Sequence, residues 1–132
     1  MKNIHPQIFQ DYLVKTIGTP YSEMDCYELT VDFYKKLLGI DLNSLQYKQP
    51  VEQKEIDQLF NLESANFKKV SDRKFGDIIV IRVLGLAAHI GVYLEGRRFL
   101  HTTSKLNCVI DDLTKYEKRI VGFYRWPSLY TE

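Results

Sequence analysis

Asp25 and Cys26 stand at the head of "DCYELTVDFYKKLLGI", just before a run with helical spacing, and two histidines, His89 and His101, follow much later in the chain. A thiol becomes a nucleophile when it loses its proton. The unpaired N–H groups and dipole of a helix N-terminus favour the anion, so a cysteine in a first helical turn is placed for nucleophilic chemistry. Asp25 suits the N-cap, where its carboxylate accepts backbone N–H bonds. Its charge opposes thiolate formation, so a base must come from elsewhere. The alternative for Cys26 is a small buried hydrophobe.

The segment "HIGVYLEGRRFLHTT" supplies two imidazoles. It reads as two strands joined by a three-residue loop, Glu95, Gly96 and Arg97, with glycine left-handed and Leu94 and Arg98 as the closing pair. That register sets Gly91 opposite His101 and His89 opposite Thr103. His89 and His101 then share a face as diagonal neighbours, with Cα atoms about 7–8 Å apart. A two-residue loop would send them to opposite faces. Gly91 leaves room for another backbone, and a helix carrying Cys26 is expected to pack there. The resulting chemistry is a thiol that attacks, a base that takes its proton and a group that fixes the base's tautomer: Cys26, His89 and His101. Zinc is the other chemistry these residue types allow, but no recognised ligand spacing is present. Without either chemistry, each histidine is a hydrogen-bonded strand residue.

His5 lies beside Pro6 and is expected at the surface. Cys108, in "NCVID", reads as a buried structural thiol, and a disulfide to Cys26 is allowed but not required at this size. Lys68, Lys69, Arg73 and Lys74 form a basic cluster, read as a solvated face that could also meet an acidic partner. Thr102 and Thr103 are cleft-lining candidates or ordinary strand residues.

These side chains need elements to position them. Residues 5–16 carry Ile8, Phe9, Tyr12 and Leu13 at helical spacing, and Gly18 and Pro20 stop that helix. A second helix runs from Asp25 to about Leu38, marked by Leu29, Thr30, Phe33, Tyr34 and Leu37 and ended by Gly39. Residues 43–50 read as a loop, and a weaker third helix fits 51–62. After residue 66 the pattern becomes short β-branched and aromatic runs: "GDIIVIRV", "AHIGVYLEGRRFLHTT", "LNCVIDDL" and "KRIVGFYRW". Helices followed by strands point to an α+β fold with an antiparallel sheet. The later connections are too short for crossover helices.

The 132 residues suit one domain, 1–132, with a core large enough to do without disulfides. Hydrophobic residues make up 45% of the chain, which excludes wholesale disorder. With 18 basic and 17 acidic side chains the net charge is +1, which gives no electrostatic case for nucleic acid or an anionic membrane. No apolar run is long enough to span a bilayer, and no membrane insertion is expected. No signal peptide is visible, so synthesis in the cytoplasm is expected.

The order "DCYELTVDFYKKLLGI", "GDIIVI", "HIGVYLEGRRFLH" resembles the NlpC family of cell-wall cysteine peptidases, from Tyr21 to Trp126. That family pairs Asp-Cys at a helix start with Gly-Asp before a strand, a His-x-Gly-x-Tyr strand and a third polar residue on the next strand. The resemblance implies a papain-like α+β fold in which the nucleophile helix packs on an antiparallel sheet. It implies Cys26 as nucleophile, His89 as general base and His101 as orienting residue. Tyr21 matches an upstream tyrosine near the thiol that helps bind substrate or the oxyanion; Asp25 and Tyr27 flank the same place, and the Cys26 N–H is an oxyanion donor. The implied substrate is the stem peptide of bacterial peptidoglycan, cut between D-glutamate and diaminopimelate or lysine, with no cofactor. The ending "VIDDLTKYEKRIVGFYRW" is most similar to phage-tail and prophage members, which implies tail proteins as partners. Two features depart from the family pattern: Tyr27 and Glu28 replace the usual Ser-Gly or Trp-Gly, and the Gly-Gly before the cysteine is missing. Rival readings are a non-catalytic tail-tip module, and an amidase or acyltransferase using the same three residues.

Overall fold

In the computed structural model the described residues are 4–42, 67–83 and 86–130, with backbone alone at 86–88. The expected loop at 43–50 and helix at 51–62 lie outside them.

Helix α1 spans Pro6–Thr16. Its proline sits at the start, where no N–H is needed, and His5 caps it by accepting the Gln7 N–H at 3.0 Å. Tyr12, Leu13 and Thr16 are buried, with Phe9 packed beside them. Ile8, expected in that set, is instead exposed. It lies about 100° round the helix from Phe9, at the edge of the stripe.

Helix α2 spans Cys26–Phe33 and continues without a break into a π-helical turn, Tyr34–Leu38. Gly39 closes it in the left-handed conformation, φ 66°, which a glycine adopts without steric cost. The expected 25–38 helix is therefore present, but its last turn is widened. Leu29, Phe33 and Tyr34 are fully buried; each such side chain contributes about 1.5–3 kcal/mol of burial.

The strands are β1 Lys68–Val70, β2 Ile78–Val83, β3 Leu86–Glu95, β4 Arg98–Thr103, β5 Asn107–Asp112 and β6 Ile120–Arg125. A 3₁₀ segment, Leu113–Arg119, joins β5 to β6. The sheet order is β1-β6-β2-β3-β4-β5, and every neighbouring pair is antiparallel. The architecture is α+β, as the residue pattern indicates. Strand β1, at the edge, carries Lys68 and Lys69 and was not expected; its alternation is too short to register.

Side chains alternate across a sheet, and here both faces are covered. One face, with Ile78, Val80, Ile90, Val92, Leu100 and Cys108, packs in the same core as Leu29 and Phe33 of α2. The other, with Ile79, Ile81, Tyr93 and Phe99, packs under Leu113 and Tyr116 of the 3₁₀ segment. The basic cluster is partly used in packing: Arg73 lies over the Tyr93 and Phe123 rings, and Lys74 over Tyr130.

The β3–β4 hairpin corrects the expected loop. Glu95 pairs with Arg98 around Gly96 and Arg97, and a bulge at Leu94 restores the register to Tyr93↔Phe99 and Val92↔Leu100. A two-residue loop alone would have put the histidines on opposite faces. The extra residue of the bulge cancels that shift.

Candidate active site

Cys26 opens α2, and its local frame is a reciprocal cap. Asp25 accepts the N–H groups of Tyr27 and Glu28 at 3.0 and 2.9 Å, while the Glu28 carboxylate accepts the Asp25 N–H at 3.1 Å. This is a capping box, so Glu28 serves the helix start as well as adding charge. The thiol is 5% exposed. Burial, with the Asp25 charge behind it, pushes it up to about 12, against N–H groups of Ile90, Cys26 and Tyr27 that favour the anion.

The Ile90 N–H shows where the thiol sits. Tyr93 donates its N–H to Asp77 on the β2 side. Alternation along β3 then turns the Ile90 N–H toward β4, where the paired ladder begins only at Val92↔Leu100. That N–H favours the thiolate of Cys26, so the start of α2 lies where β3 and β4 part. His89 is the next residue back along β3.

Nε2 of His89 lies 2.7 Å from Nδ1 of His101, and Nε2 of His101 lies 3.0 Å from Oδ2 of Asp111. His101 is wholly buried, between a tilted Phe99 ring and an edge-on Tyr116 ring. Burial first, then the neighbouring His101 and the Arg119 charge, lower His89 to about 3. Burial lowers His101 as well, although Asp111 opposes that. Both imidazoles are therefore neutral near pH 7. The two facing ring nitrogens are joined to one another and do not converge on a third point, the geometry of a hydrogen-bonded relay rather than of two metal ligands.

His89 and His101 are thus brought together, and Cys26 lies by the backbone of the residue that follows His89. Gly91 has another part in this than the one expected. A Cβ there would meet the Leu100 carbonyl oxygen and a Phe99 ring carbon at 2.9 Å and the His101 Cβ at 3.0 Å. The missing side chain admits β4 and its histidine, whereas α2 packs against the opposite face. Tyr21 is half-buried near the thiol, and its hydroxyl is raised by burial and by the Cys26, Asp25 and Glu28 charges. The Tyr27 ring is 2% exposed and lies in the core, which corrects its expected place in a substrate cleft: position 27 of an amphipathic helix start turns inward. Asp25 is a cap, and a carboxylate repels an oxyanion. His5 is exposed; Cys108 is buried, and both cysteines are free thiols. Thr102 is fully buried, opposite Cys108, which removes it from a cleft wall.

Asp111 was missed by sequence reasoning. It pairs with Phe99 on β4, so it is the diagonal neighbour of His101, whose partner is Val109. That relation matches the one between His89 and His101. The available signal was a carboxylate inside the apolar strand "NCVIDD".

A profile of the NlpC/P60 family matches residues 14–125. Comparison with curated proteins finds no match. Among solved structures, the chain is similar to a Staphylococcus aureus protein of the NLP/P60 family described as similar to lipoprotein, with TM-score 0.61 and 26% identity over 90% of this chain. This chain spans only 40% of the length of that one. It is also similar to the NlpC/p60 domain of the peptidoglycan hydrolase SagA, with TM-score 0.62 and 20% identity over 93% of this chain and 100% of that one. The α+β fold is thus papain-like, and with a family profile matching residues 14–125 the chain belongs to the NlpC/P60 family.

Proposed function

We propose that the protein is a cysteine peptidase that hydrolyses peptide bonds in peptidoglycan stem peptides, of the D-glutamyl–diaminopimelate or D-glutamyl–lysine type. The observation that carries this reading is the buried 2.7 Å contact between His89 and His101, in a chain whose thiol Cys26 opens a capped helix. Family membership and the likeness to a peptidoglycan hydrolase domain support the substrate class.

His89 uses Nε2 toward His101, which leaves Nδ1 as the nitrogen to take the thiol proton. Because the resting thiol and imidazole are both neutral, proton transfer accompanies attack rather than preceding it. Sγ of Cys26 adds to the scissile carbonyl carbon. The resulting oxyanion is held by the Cys26 N–H and the positive end of α2, with Tyr21 at the rim. Collapse breaks the C–N bond, His89 returns the proton to the leaving amine, and a thioester remains. Water, deprotonated by His89, then adds to the thioester carbonyl and releases the carboxylic acid and the thiol. No step calls for a cofactor. A single catalytic domain over 1–132, a phage or prophage origin, tail-protein partners and action at the wall after cytoplasmic synthesis complete the proposal; the phage origin and tail partners rest on the resemblance of the C-terminal segment.

The test is digestion of defined muropeptides, read by mass spectrometry, with Cys26→Ala alongside. A stem fragment formed only by the parent protein identifies the bond. A covalent adduct on Cys26 without cleavage indicates an amidase or acyltransferase. No cleavage and no adduct from folded protein leaves the non-catalytic tail-tip module.

A further inference from the structure

We propose that Asp111 is a positioning residue that sets the tautomer of both imidazoles, so that the thiol's base depends on a carboxylate two side chains away. The inference rests on the catalytic reading above for its consequence, and on geometry for its content. Asp111 is buried, and four donors surround it. Oδ2 accepts from Nε2–H of His101 at 3.0 Å and from the Tyr116 hydroxyl at 2.9 Å. Oδ1 accepts from the Asp112 N–H at 2.8 Å and from Lys115 Nζ at 2.9 Å. Although burial works against the charge, these donors hold the carboxyl below its usual range, so it is an anion that only accepts.

The consequence passes along the relay one proton at a time. A neutral His101 facing a carboxylate must carry its hydrogen on Nε2, which leaves Nδ1 bare. Bare Nδ1 accepts only if the opposing Nε2 of His89 carries the hydrogen. His89 is then bare at Nδ1, the nitrogen needed by the thiol. One fixed charge at the far end therefore selects the base-competent form of His89, as the outer carboxylate does for a serine-protease histidine.

Asp111→Asn is a sharp test because the two carboxylate oxygens have different neighbours. The backbone N–H and the ammonium on the Oδ1 side would draw the amide oxygen toward themselves. The NH₂ group would then face Nε2 of His101, and the Tyr116 hydroxyl can turn to accept. Nε2 would have to be bare, and the relay would reverse: hydrogen on Nδ1 of His101, Nε2 of His89 accepting, and Nδ1 of His89 protonated and useless as a base.

The experiment combines long-range ¹H–¹⁵N correlation of histidine-labelled protein near neutral pH with the rate of Cys26 alkylation by iodoacetamide. In the parent, both imidazoles should carry hydrogen on Nε2 alone. In Asp111→Asn, His101 and His89 should shift toward Nδ1–H, and alkylation should slow by roughly 10²–10⁴-fold, the range lost with a general base. Tyr116→Phe should slow it far less and keep the parent tautomers. A parent His101 with hydrogen on Nδ1 would overturn the proposal, as would a folded Asp111→Asn protein with unchanged tautomers and alkylation within about twofold. If Asp111→Asn fails to fold, the parent spectrum decides alone. Neither readout uses a muropeptide, so failure of the parent to cleave stem peptides would count against the substrate assignment and not against the relay.

Discussion

Two buried aspartates on the same sheet, Asp77 and Asp111, are held in opposite ways. Asp77 is fully buried and meets a permanent cation: Arg125 donates Nε and Nη2 to its two oxygens at 2.9 and 2.8 Å, and the Lys74 N–H adds a bond at 2.7 Å. A guanidinium has no second tautomer and does not lose its proton, so nothing can be passed on. This pair locks the start of β2 to the end of β6. Asp111 meets an imidazole, whose two nitrogens exchange roles, and so a charge on one side becomes a proton position on the other. A buried carboxylate is structural or positional according to whether its partner has two states.

The difference predicts separable phenotypes. Removing the cation by Arg125→Ala strands a buried carboxylate and should destabilise the fold by roughly 3–5 kcal/mol, measured by urea unfolding. Alkylation of Cys26 per folded molecule should stay at the parent rate; a large drop would mean that the lock also shapes the site. Gly91→Ala should come next, at roughly 1–3 kcal/mol of overpacking, because its Cβ would press on the Leu100 backbone and His101 within 3.0 Å. Here stability and alkylation should fall together, since the strand being pushed carries the relay.

Acid should act on the relay side. The His89 pKa is lowered from 6.5 to about 3 on folding. Between those values the unfolded chain binds a proton that the native protein does not, so stability falls as pH drops from about 6.5 toward 3, by at most ~1.4 kcal/mol per pH unit for this group. Lowered His101 adds in the same direction. His89→Gln should flatten the slope of unfolding free energy against pH; an unchanged slope would place the proton uptake elsewhere. The smallest effect is Asp25→Asn. Asparagine caps as well as aspartate, so stability should change by less than about 1 kcal/mol. The pH profile of alkylation should move to lower pH, because the Asp25 charge raises the thiol.

Much of the fold can be read residue by residue. Local signals explain α1 and α2, because Pro6, Asp25 and Gly39 act within a turn of their own backbone. Alternation and turn residues explain β2 to β6. The widened Tyr34–Leu38 turn is different: Tyr34 reaches a distant backbone carbonyl, that of Gly76. The Leu94 bulge is different too, since its extra residue is counted only against the partner strand.

What the chain determined by itself was a helix-start cysteine, two histidines on adjoining strands and an antiparallel sheet to carry them, all short-range consequences of residue type and spacing. Tertiary structure alone decided the rest. It directed Tyr27 inward, let β4 rather than α2 fill the space beside Gly91, and ended the β3–β4 ladder short of Ile90, whose N–H favours the Cys26 thiolate. It also set Asp111 behind His101. Each of these depends on which strand neighbours which and in what register, and register is a contact between residues far apart in sequence, specified by packing on both faces of the sheet.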